Sequence, residues 1–151
     1  MTIHFICKGN TFRSRLAEAY LNSKELPNIK AVSSGVAASL NQCGPVSWYA
    51  QRIIQHHHLI PYEKPVWDQT TRPLLEEGDF TVFMDNDVYT YCTEKFGYKP
   101  ENFEVWDIKD TDSTFNSSSE EIKKVQFTEG VFEEIKNRIN QLLPKLREKA
   151  I

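Results

Sequence analysis

The residues best suited to chemistry lie near the start of the chain, in the segment Cys7-Lys8-Gly9-Asn10-Thr11-Phe12-Arg13-Ser14. Five residues separate the cysteine from the arginine, and a serine follows the arginine directly. The spacing Cys-x5-Arg alone is a weak signal. A chain with three cysteines and six arginines in 151 residues would contain it by chance in roughly one case in eight. The flanking residues therefore decide whether the segment forms a site.

The flanking residues indicate a loop between a buried strand and a helix. Residues 3–6 form an apolar run of strand length, and apolar side chains recur afterwards at helical spacing (Leu16, Ala17, Tyr20, Leu21). Gly9 and Asn10 allow the backbone conformations of a tight loop. Because such a loop directs several backbone N–H groups toward one point at a helix N-terminus, it can bind an oxyanion. The predicted substrate-binding residues are Lys8, Gly9, Asn10, Thr11, Phe12 and Ser14.

Three side chains of this loop suit phosphate chemistry. The loop amides and a nearby guanidinium favour the thiolate form of Cys7, which is the nucleophilic form. Arg13 can hold two phosphate oxygens at once, which a lysine cannot do. The Ser14 hydroxyl can donate a hydrogen bond to the thiolate. Cys7 and Arg13 are therefore predicted to be catalytic.

The elements that must position this loop follow from the rest of the chain. Further strands are predicted at 29–32, 80–84 and 104–106, and helices at 46–57, from 87 to about 94, and along an apolar stripe from 131 to 146. Ser118 with Glu121 predicts a capping box for the last helix, and Gly130 and Pro144 are expected to kink or interrupt it. Strands that alternate with helices imply parallel pairing. We predict an α/β fold in which residues 1–151 form a single three-layer domain, with a central parallel sheet of about four strands and helices on both faces.

Composition limits the classes of partner and compartment. The formal net charge of −3 argues against nucleic-acid binding, which needs a basic surface. No segment is long and apolar enough to span a membrane, and the N-terminus lacks the pattern of a secretory signal, so we expect a cytoplasmic protein. Three widely spaced cysteines do not make a disulfide framework, and Cys43 and Cys92 are interpreted as structural. Adjacent histidines at 56–58 would diverge on a helix, so no metal site is predicted.

At the loop, the chain resembles the low-molecular-weight protein tyrosine phosphatase family, which includes arsenate reductases of the same fold. The resemblance begins with CKGNTFRS and the following Leu16-Ala17-Glu18-Ala19. It continues through three later segments, Val32-Ser33-Ser34-Gly35, Thr71-Arg72-Pro73-Leu74 and Phe83-Met84-Asp85-Asn86. It extends to residues 106–110 and the C-terminal helix, so it covers nearly the whole chain. The loop is the specific match, and the other segments match loosely.

The resemblance implies a mechanism and a substrate. Cys7 would attack phosphorus in line to form a phosphocysteine, while the loop amides and Arg13 stabilise the equatorial oxygens. An aspartic acid would protonate the leaving group and then deprotonate the attacking water. The resemblance implies no metal and no cofactor. The expected partners are a protein phosphotyrosine or another aryl phosphate, with phosphate or a similar oxyanion in the loop. Spacing alone does not rank the residues of the mouth: Trp48, Tyr49, Phe115 and Trp106 are candidates, and a core position is the alternative for each.

The expected general acid departs from the family pattern. The family places its acid in an Asp-Pro pair, and alignment through Trp106-Asp107-Ile108 matches it to Asp110 in this chain. A threonine follows Asp110, so the rigid proline is missing from the acid loop. Asp107 and Asp112 remain alternatives for the same role.

The loop and its support show further departures. Phe12 stands where many relatives carry a second loop cysteine. Gln69 stands where many phosphatase relatives have a histidine that supports the loop. Asn10 and Ser33 match the other members of that supporting network.

Two other functions remain open at the level of sequence. An arsenate reductase would use the same loop, but reduction requires further thiols to resolve the cysteine–arsenic adduct. Relatives that use internal thiols carry a cysteine pair after the third strand, where this chain has Met84 and only Cys92 nearby, so external thiols would be needed. The second alternative is an oxyanion- or phosphoprotein-binding module whose general acid has been lost.

Overall fold

Four parallel strands form the centre of the computed structural model, which describes residues 1–41, 44–110 and 121–149. The strands are β1 (Thr2–Cys7), β2 (Lys30–Gly35), β3 (Phe80–Phe83) and β4 (Phe103–Val105), in the order β2-β1-β3-β4. Cys7 pairs with Gly35, and Ile6 pairs with Phe83. The carboxyl ends of the three strands therefore meet at one edge, where ligands bind in open α/β sheets.

Five α-helices accompany the sheet within the described residues: α1 (Arg13–Ser23), α2 (Trp48–His56), α3 (Arg72–Glu77), α4 (Asn86–Lys95) and α5 (Glu121–Lys149). Helix α3 is absent from the sequence prediction. A Thr71 cap and Pro73 in the first turn are its start signals. The fourth strand ends at Val105, one residue earlier than predicted, and Trp106 packs in the core.

Of the expected kink or interruption in the last helix, the interruption is wrong. Helix α5 continues through Gly130 and Pro144. The buried stripe of Leu142, Leu143 and Leu146 holds the segment after Gly130 against the core, which outweighs the poor helix propensity of both residues. Ser118 of the predicted capping box lies outside the described residues.

Alternate side chains of each central strand pack against different helices. Phe5 and Val82 belong to the larger hydrophobic cluster, which contains residues of α1, α2 and α5. Ile6 and Phe83, one residue later, pack with residues of α3 and α4, including Leu75 and Cys92. Because neighbouring strand side chains point to opposite faces, helices cover both faces of the sheet. The predicted single α/β domain with three layers is confirmed.

A fully buried histidine lies within this sheet. The Nε2 atom of His4 is 2.6 Å from the Ser34 hydroxyl, which is 2.6 Å from the hydroxyl of Thr70. Burial, and then the nearby charge of Lys64, lower the pKa of His4 from 6.5 to about 4. The imidazole is therefore neutral in the folded protein at pH values where it is protonated in the unfolded chain.

This difference predicts acid sensitivity. Between about pH 6.5 and about pH 4 the unfolded chain binds more protons at His4 than the folded protein does, so stability falls as the pH falls through this window. The pKa difference at His4 changes the free energy of unfolding by about 3 kcal/mol. Urea unfolding at several pH values should give a shallower dependence for His4→Gln than for the wild type. An equal pH dependence of stability in wild type and His4→Gln would contradict the lowered pKa of His4.

Candidate active site

The loop between β1 and α1 wraps around the sulfur of Cys7. Asn10 adopts a left-handed conformation with φ 54°, which asparagine tolerates better than most residues, and its backbone N–H donates to Cys7 Sγ at 3.2 Å. The Ser14 hydroxyl lies 2.9 Å from the same sulfur. Helix α1 begins at Arg13 without a side-chain cap on its first turn. Its first N–H groups can therefore meet an anion placed above the sulfur.

Gly35, at the end of β2, lets this loop lie directly on the sheet edge. A Cβ atom at position 35 would come within 2.6 Å of the Asn10 nitrogen and 2.8 Å of the Lys8 carbonyl oxygen. The next residues hold the loop in place, because the N–H groups of Val36 and Ala37 donate to the carbonyls of Cys7 and Lys8. The loop backbone thus occupies the space that any other side chain at this position would need.

Arg13 is held in a fixed orientation beside the loop. It is 3% exposed, and its Nη1 donates to Asp85 Oδ2 and to the carbonyl of Ile108, both at 2.8 Å. Its Nη2 lies 3.6 Å from Asp110 Oδ2. Burial alone lowers the pKa of Arg13, but the charges of Cys7, Asp85 and Asp110 outweigh it, so the pKa is raised. The guanidinium therefore stays charged at the site.

A cavity of about 550 Å³ opens above Cys7. The loop, Arg13 and Asp110 contribute polar groups to it, and Trp48 and Tyr49 at the start of α2 form an aromatic wall. Trp48 is 62% exposed. The cavity thus combines an anion-binding base with an aromatic rim.

The predicted site residues divide into two sets. The first set lines the cavity: Cys7, Lys8, Gly9, Thr11, Phe12, Arg13 and Asp110. The second set, Asn10, Ser14 and Ser33, is buried behind the loop. Asp107 lines an adjoining cavity, whereas Asp112 lies outside the described residues.

The remaining sequence predictions concern the aromatic side chains at the cavity mouth and the two other cysteines. Trp48 and Tyr49 lie at the mouth, but Trp106 does not, since it is 2% exposed and packs against Phe5. Phe115 and Cys43 are outside the described residues. Cys92 is fully buried in the cluster beneath α3 and α4, and burial raises its pKa to about 12.

Buried polar side chains connect the loop to its support. The Asn10 amide donates to Ser14 Oγ at 2.7 Å and to Ser33 Oγ at 2.9 Å. The Ser33 hydroxyl in turn donates to the Glu18 carboxylate. Gln69 contributes elsewhere, because its amide bonds the backbone of Val36 and Ser39. Asn10 is thus supported without the histidine of many relatives.

Sequence reasoning missed four residues that hold the site together: Glu18, Gly35, Lys64 and Asp85. Asp85 had a recognisable signal, since it follows β3 directly at the edge where ligands bind. Its second carboxylate oxygen caps α4 at Val88 N, 2.8 Å away. Lys64 had no such signal, because it comes from an irregular connector.

Neither a metal site nor a membrane span is found among the described residues. Their histidine, cysteine and acidic side chains form no group of three or more suited to a metal ion. His57 instead pairs with Glu129 at 3.1 Å. None of the helices in this part of the chain could cross a membrane.

Comparison with known proteins agrees with this geometry. The family model of low molecular weight phosphotyrosine protein phosphatases matches residues 2–151. The chain belongs to this family. A curated relative, the low molecular weight protein-tyrosine-phosphatase PtpB of Staphylococcus aureus, is 42% identical over 59 residues, a segment that spans 39% of this chain and 40% of the relative.

Two solved structures share the fold along nearly the full length. A low molecular weight protein tyrosine phosphatase from Bacillus subtilis has a TM-score of 0.78 and 23% identity, covering 100% of both chains. The YwlE arginine phosphatase from Geobacillus stearothermophilus has a TM-score of 0.78 and 21% identity, covering 98% of this chain and 94% of its own. At sequence identities this low, the likeness to these two structures shows a shared fold and nothing further.

The contact at Gly35 predicts a large effect of a single methyl group. Gly35→Ala must displace the backbone of the loop, so we expect phosphatase activity to fall about a hundredfold. Gly130→Ala is the matched control, because a Cβ at that helical position meets nothing within 4 Å. It should retain activity and gain about 1 kcal/mol in stability. Full activity in folded Gly35→Ala would contradict the role of this contact.

The fixed guanidinium predicts that charge alone is insufficient at position 13. Lysine cannot bond both Asp85 and the Ile108 carbonyl while still holding two phosphate oxygens. We expect Arg13→Lys to lower kcat/KM about a hundredfold and to weaken inhibition by vanadate. Arg52→Lys changes an arginine paired with Glu129 at 2.9 Å, away from the cavity, and should leave both measurements unchanged. Equal losses in the two variants would show a general rather than a local effect.

Proposed function

We propose that the chain is a cysteine-dependent phosphatase that hydrolyses aryl phosphomonoesters, with protein phosphotyrosine as its substrate. The observation that carries the proposal is the position of Cys7 at the cavity, with its sulfur 3.2 Å from a loop N–H and 2.9 Å from the Ser14 hydroxyl. Both groups lie within hydrogen-bonding distance of the sulfur, the position in which donors can stabilise a sulfur nucleophile. Family membership supports the same reaction class.

The first step transfers the phosphoryl group to the enzyme. The Cys7 thiolate attacks phosphorus, and the sulfur–phosphorus bond forms as the bond to the leaving oxygen breaks. Asp110, which lines the same cavity, gives its proton to that oxygen. Arg13 and the loop N–H groups stabilise the charge on the equatorial oxygens. The products of this step are the free phenol and phosphocysteine.

The second step releases phosphate and restores the thiolate. Asp110, now ionised, takes a proton from water as the water attacks phosphorus and the sulfur–phosphorus bond breaks. The Ser14 hydroxyl stabilises the leaving thiolate. Since Ser14 Oγ already accepts from Asn10, its own hydrogen points to the sulfur. Inorganic phosphate then leaves the loop.

The aromatic rim supports phosphotyrosine as the substrate. A phosphotyrosine ring placed over the loop would lie against the Trp48–Tyr49 pair, whose rings contact each other edge to face with centroids 5.1 Å apart, and ring contacts there add to the binding energy. The depth of Cys7, which is 2% exposed, favours a long aryl phosphate over phosphoserine. A solved structure of the same fold is an arginine phosphatase, so phosphoarginine is the competitor to measure.

The alternative functions receive less support. Met84 is buried in the core, and Cys92 is buried with a pKa raised to about 12, so Cys92 is poorly suited to resolve a cysteine–arsenic adduct. A pure binding module would not need the contacts that Cys7 makes with Asn10 and Ser14. We place the phosphatase in the cytoplasm, without nucleic-acid or membrane partners.

Hydrolysis of p-nitrophenyl phosphate from pH 4 to 9, with chelator present, tests the reaction. Wild type should be active, and Cys7→Ser should be inactive because its hydroxyl is a far weaker nucleophile. Asp110→Asn should lower kcat about a hundredfold. Asp107→Asn is the matched control and should keep its activity, because Asp107 lies in the adjoining cavity. An inactive, folded wild type would overturn the proposal, and a loss confined to Asp107→Asn would move the acid to that residue.

Peptides that carry one phosphoresidue in the same flanking sequence test the substrate. Phosphotyrosine should give the highest kcat/KM, and Trp48→Ala should reduce it through KM. A higher kcat/KM with phosphoarginine would reject the tyrosine assignment while retaining the phosphatase.

A further inference from the structure

Lys64 joins three parts of the chain behind the loop. It lies in the connector after the 3₁₀ helix Ile60–Tyr62, and its side chain is 16% exposed. Its Nζ donates to the Ser33 carbonyl at 2.6 Å and to Asp68 Oδ2 at 2.9 Å, and lies 3.6 Å from Glu18 Oε2. One ammonium group thus contacts β2, α1 and the segment before α3.

Both ends of the Asn10 side chain depend on residues that Lys64 contacts. The side-chain oxygen Oδ1 of Asn10 accepts from the backbone N–H of Asp68 at 2.8 Å, which fixes the orientation of the side-chain amide. The Asn10 amide nitrogen donates to Ser14 and to Ser33. A shift of Lys64 would therefore change how Asn10 is held.

The hydrogen bonds diverge from the Asn10 amide, which donates to Ser14 on the side of Cys7 and to Ser33 on the side of Glu18. Because the Ser33 hydroxyl donates to the Glu18 carboxylate, its oxygen is free to accept from Asn10. Asn10 then donates to Ser14, whose own hydrogen is directed to the Cys7 sulfur 2.9 Å away. An ionised carboxylate at the far end favours this order, since a protonated Glu18 would donate to Ser33 and compete with Asn10.

We propose that Lys64 is a positioning residue that keeps Glu18 ionised, so that Ser33 accepts from Asn10 and Asn10 in turn holds the Ser14 hydroxyl toward the Cys7 sulfur. The inference rests on the proposed phosphatase function and extends it to a residue that touches neither substrate nor sulfur. Support from Lys64 also explains how Asn10 is held although the Gln69 side chain bonds the backbone of Val36 instead of the loop asparagine.

The charges around Glu18 agree with this role. Burial raises the pKa of Glu18 overall, and Lys64 is the largest of the groups that act in the opposite direction, ahead of the Ser33 hydroxyl and Arg15. Arg15 is the other cation, but its guanidinium donates to the carbonyls of Asn10, Pro45 and Lys64. Asp68 pairs with Lys64 from the far side and partly offsets its charge. Lys64 is therefore the cation in ion-pair contact with Glu18 among the described residues.

The test replaces Lys64 by methionine, which keeps the length and removes the charge. The pH dependence of Cys7 alkylation by iodoacetamide, followed by mass spectrometry, reports thiolate formation without requiring catalysis. Lys64→Met should move this curve to higher pH by about one unit and lower kcat for p-nitrophenyl phosphate about tenfold, with little change in KM. An unchanged alkylation curve in the folded variant would overturn the proposal.

Lys136→Met is the matched control. Lys136 is also a partly buried, paired lysine, 2.7 Å from Glu133 with its side chain 23% exposed, but it belongs to α5. Its replacement should leave both the alkylation curve and kcat within about twofold of wild type. An equal shift in Lys136→Met would show a general effect of lost charge and would overturn a specific role for Lys64.

A second variant keeps the test decisive if Lys64→Met fails to fold. Glu18→Gln preserves shape, removes the carboxylate and should move the alkylation curve in the same direction; an unchanged curve would overturn the proposal. If both variants fold, their combination should shift the curve little more than Glu18→Gln alone, because Lys64 acts through Glu18. If the shifts of the two single variants add fully in the double variant, Lys64 does not act through Glu18. If the wild type hydrolyses no phosphomonoester, the phosphatase assignment fails while the alkylation curves still decide the role of Lys64.

Discussion

The close approach of the loop backbone to Gly35 is the constraint on which the site depends. Backbone N–H groups can surround the Cys7 sulfur only if the loop lies against the end of β2, and a single Cβ atom would occupy that space. Hydrogen bonds from Val36 and Ala37 to the loop carbonyls then fix its position. The sheet edge thus shapes the anion site before any side chain takes part.

Burial of charge is the second constraint. Arg13 is almost inaccessible to solvent, and a buried charge is costly unless it is paired and hydrogen-bonded. Asp85 and the Ile108 carbonyl meet this need on the side away from the cavity. Glu18 has the same problem behind the loop, where Ser33 and Lys64 compensate its charge. The charged groups therefore arrive already oriented, which limits the reorganisation needed during reaction.

The strands and the loop were predictable because their signals are local. Residues 3–6 are apolar except for His4, and Cys7 to Ser14 follow them directly, so strand, loop and helix could be inferred from adjacent residues. Helix α3 was missed because its six residues are too few for a clear period. Trp106 was one of four aromatic candidates for the mouth, any of which could also belong to the core. The structure places it in the core against Phe5, a choice that residue type and spacing do not make.

The sequence by itself determined the parallel α/β architecture and the loop that carries the proposed nucleophile Cys7 and Arg13, because each depends on residues that are neighbours along the chain. Only the tertiary structure decided what stands behind them. Lys64, Asp85 and Gly35 lie 57, 78 and 28 positions after Cys7 by their residue numbers, and chain folding brings them to the same strand edge. Their contacts follow from how the strand ends and the connector pack together, a long-range property that local periodicity does not encode.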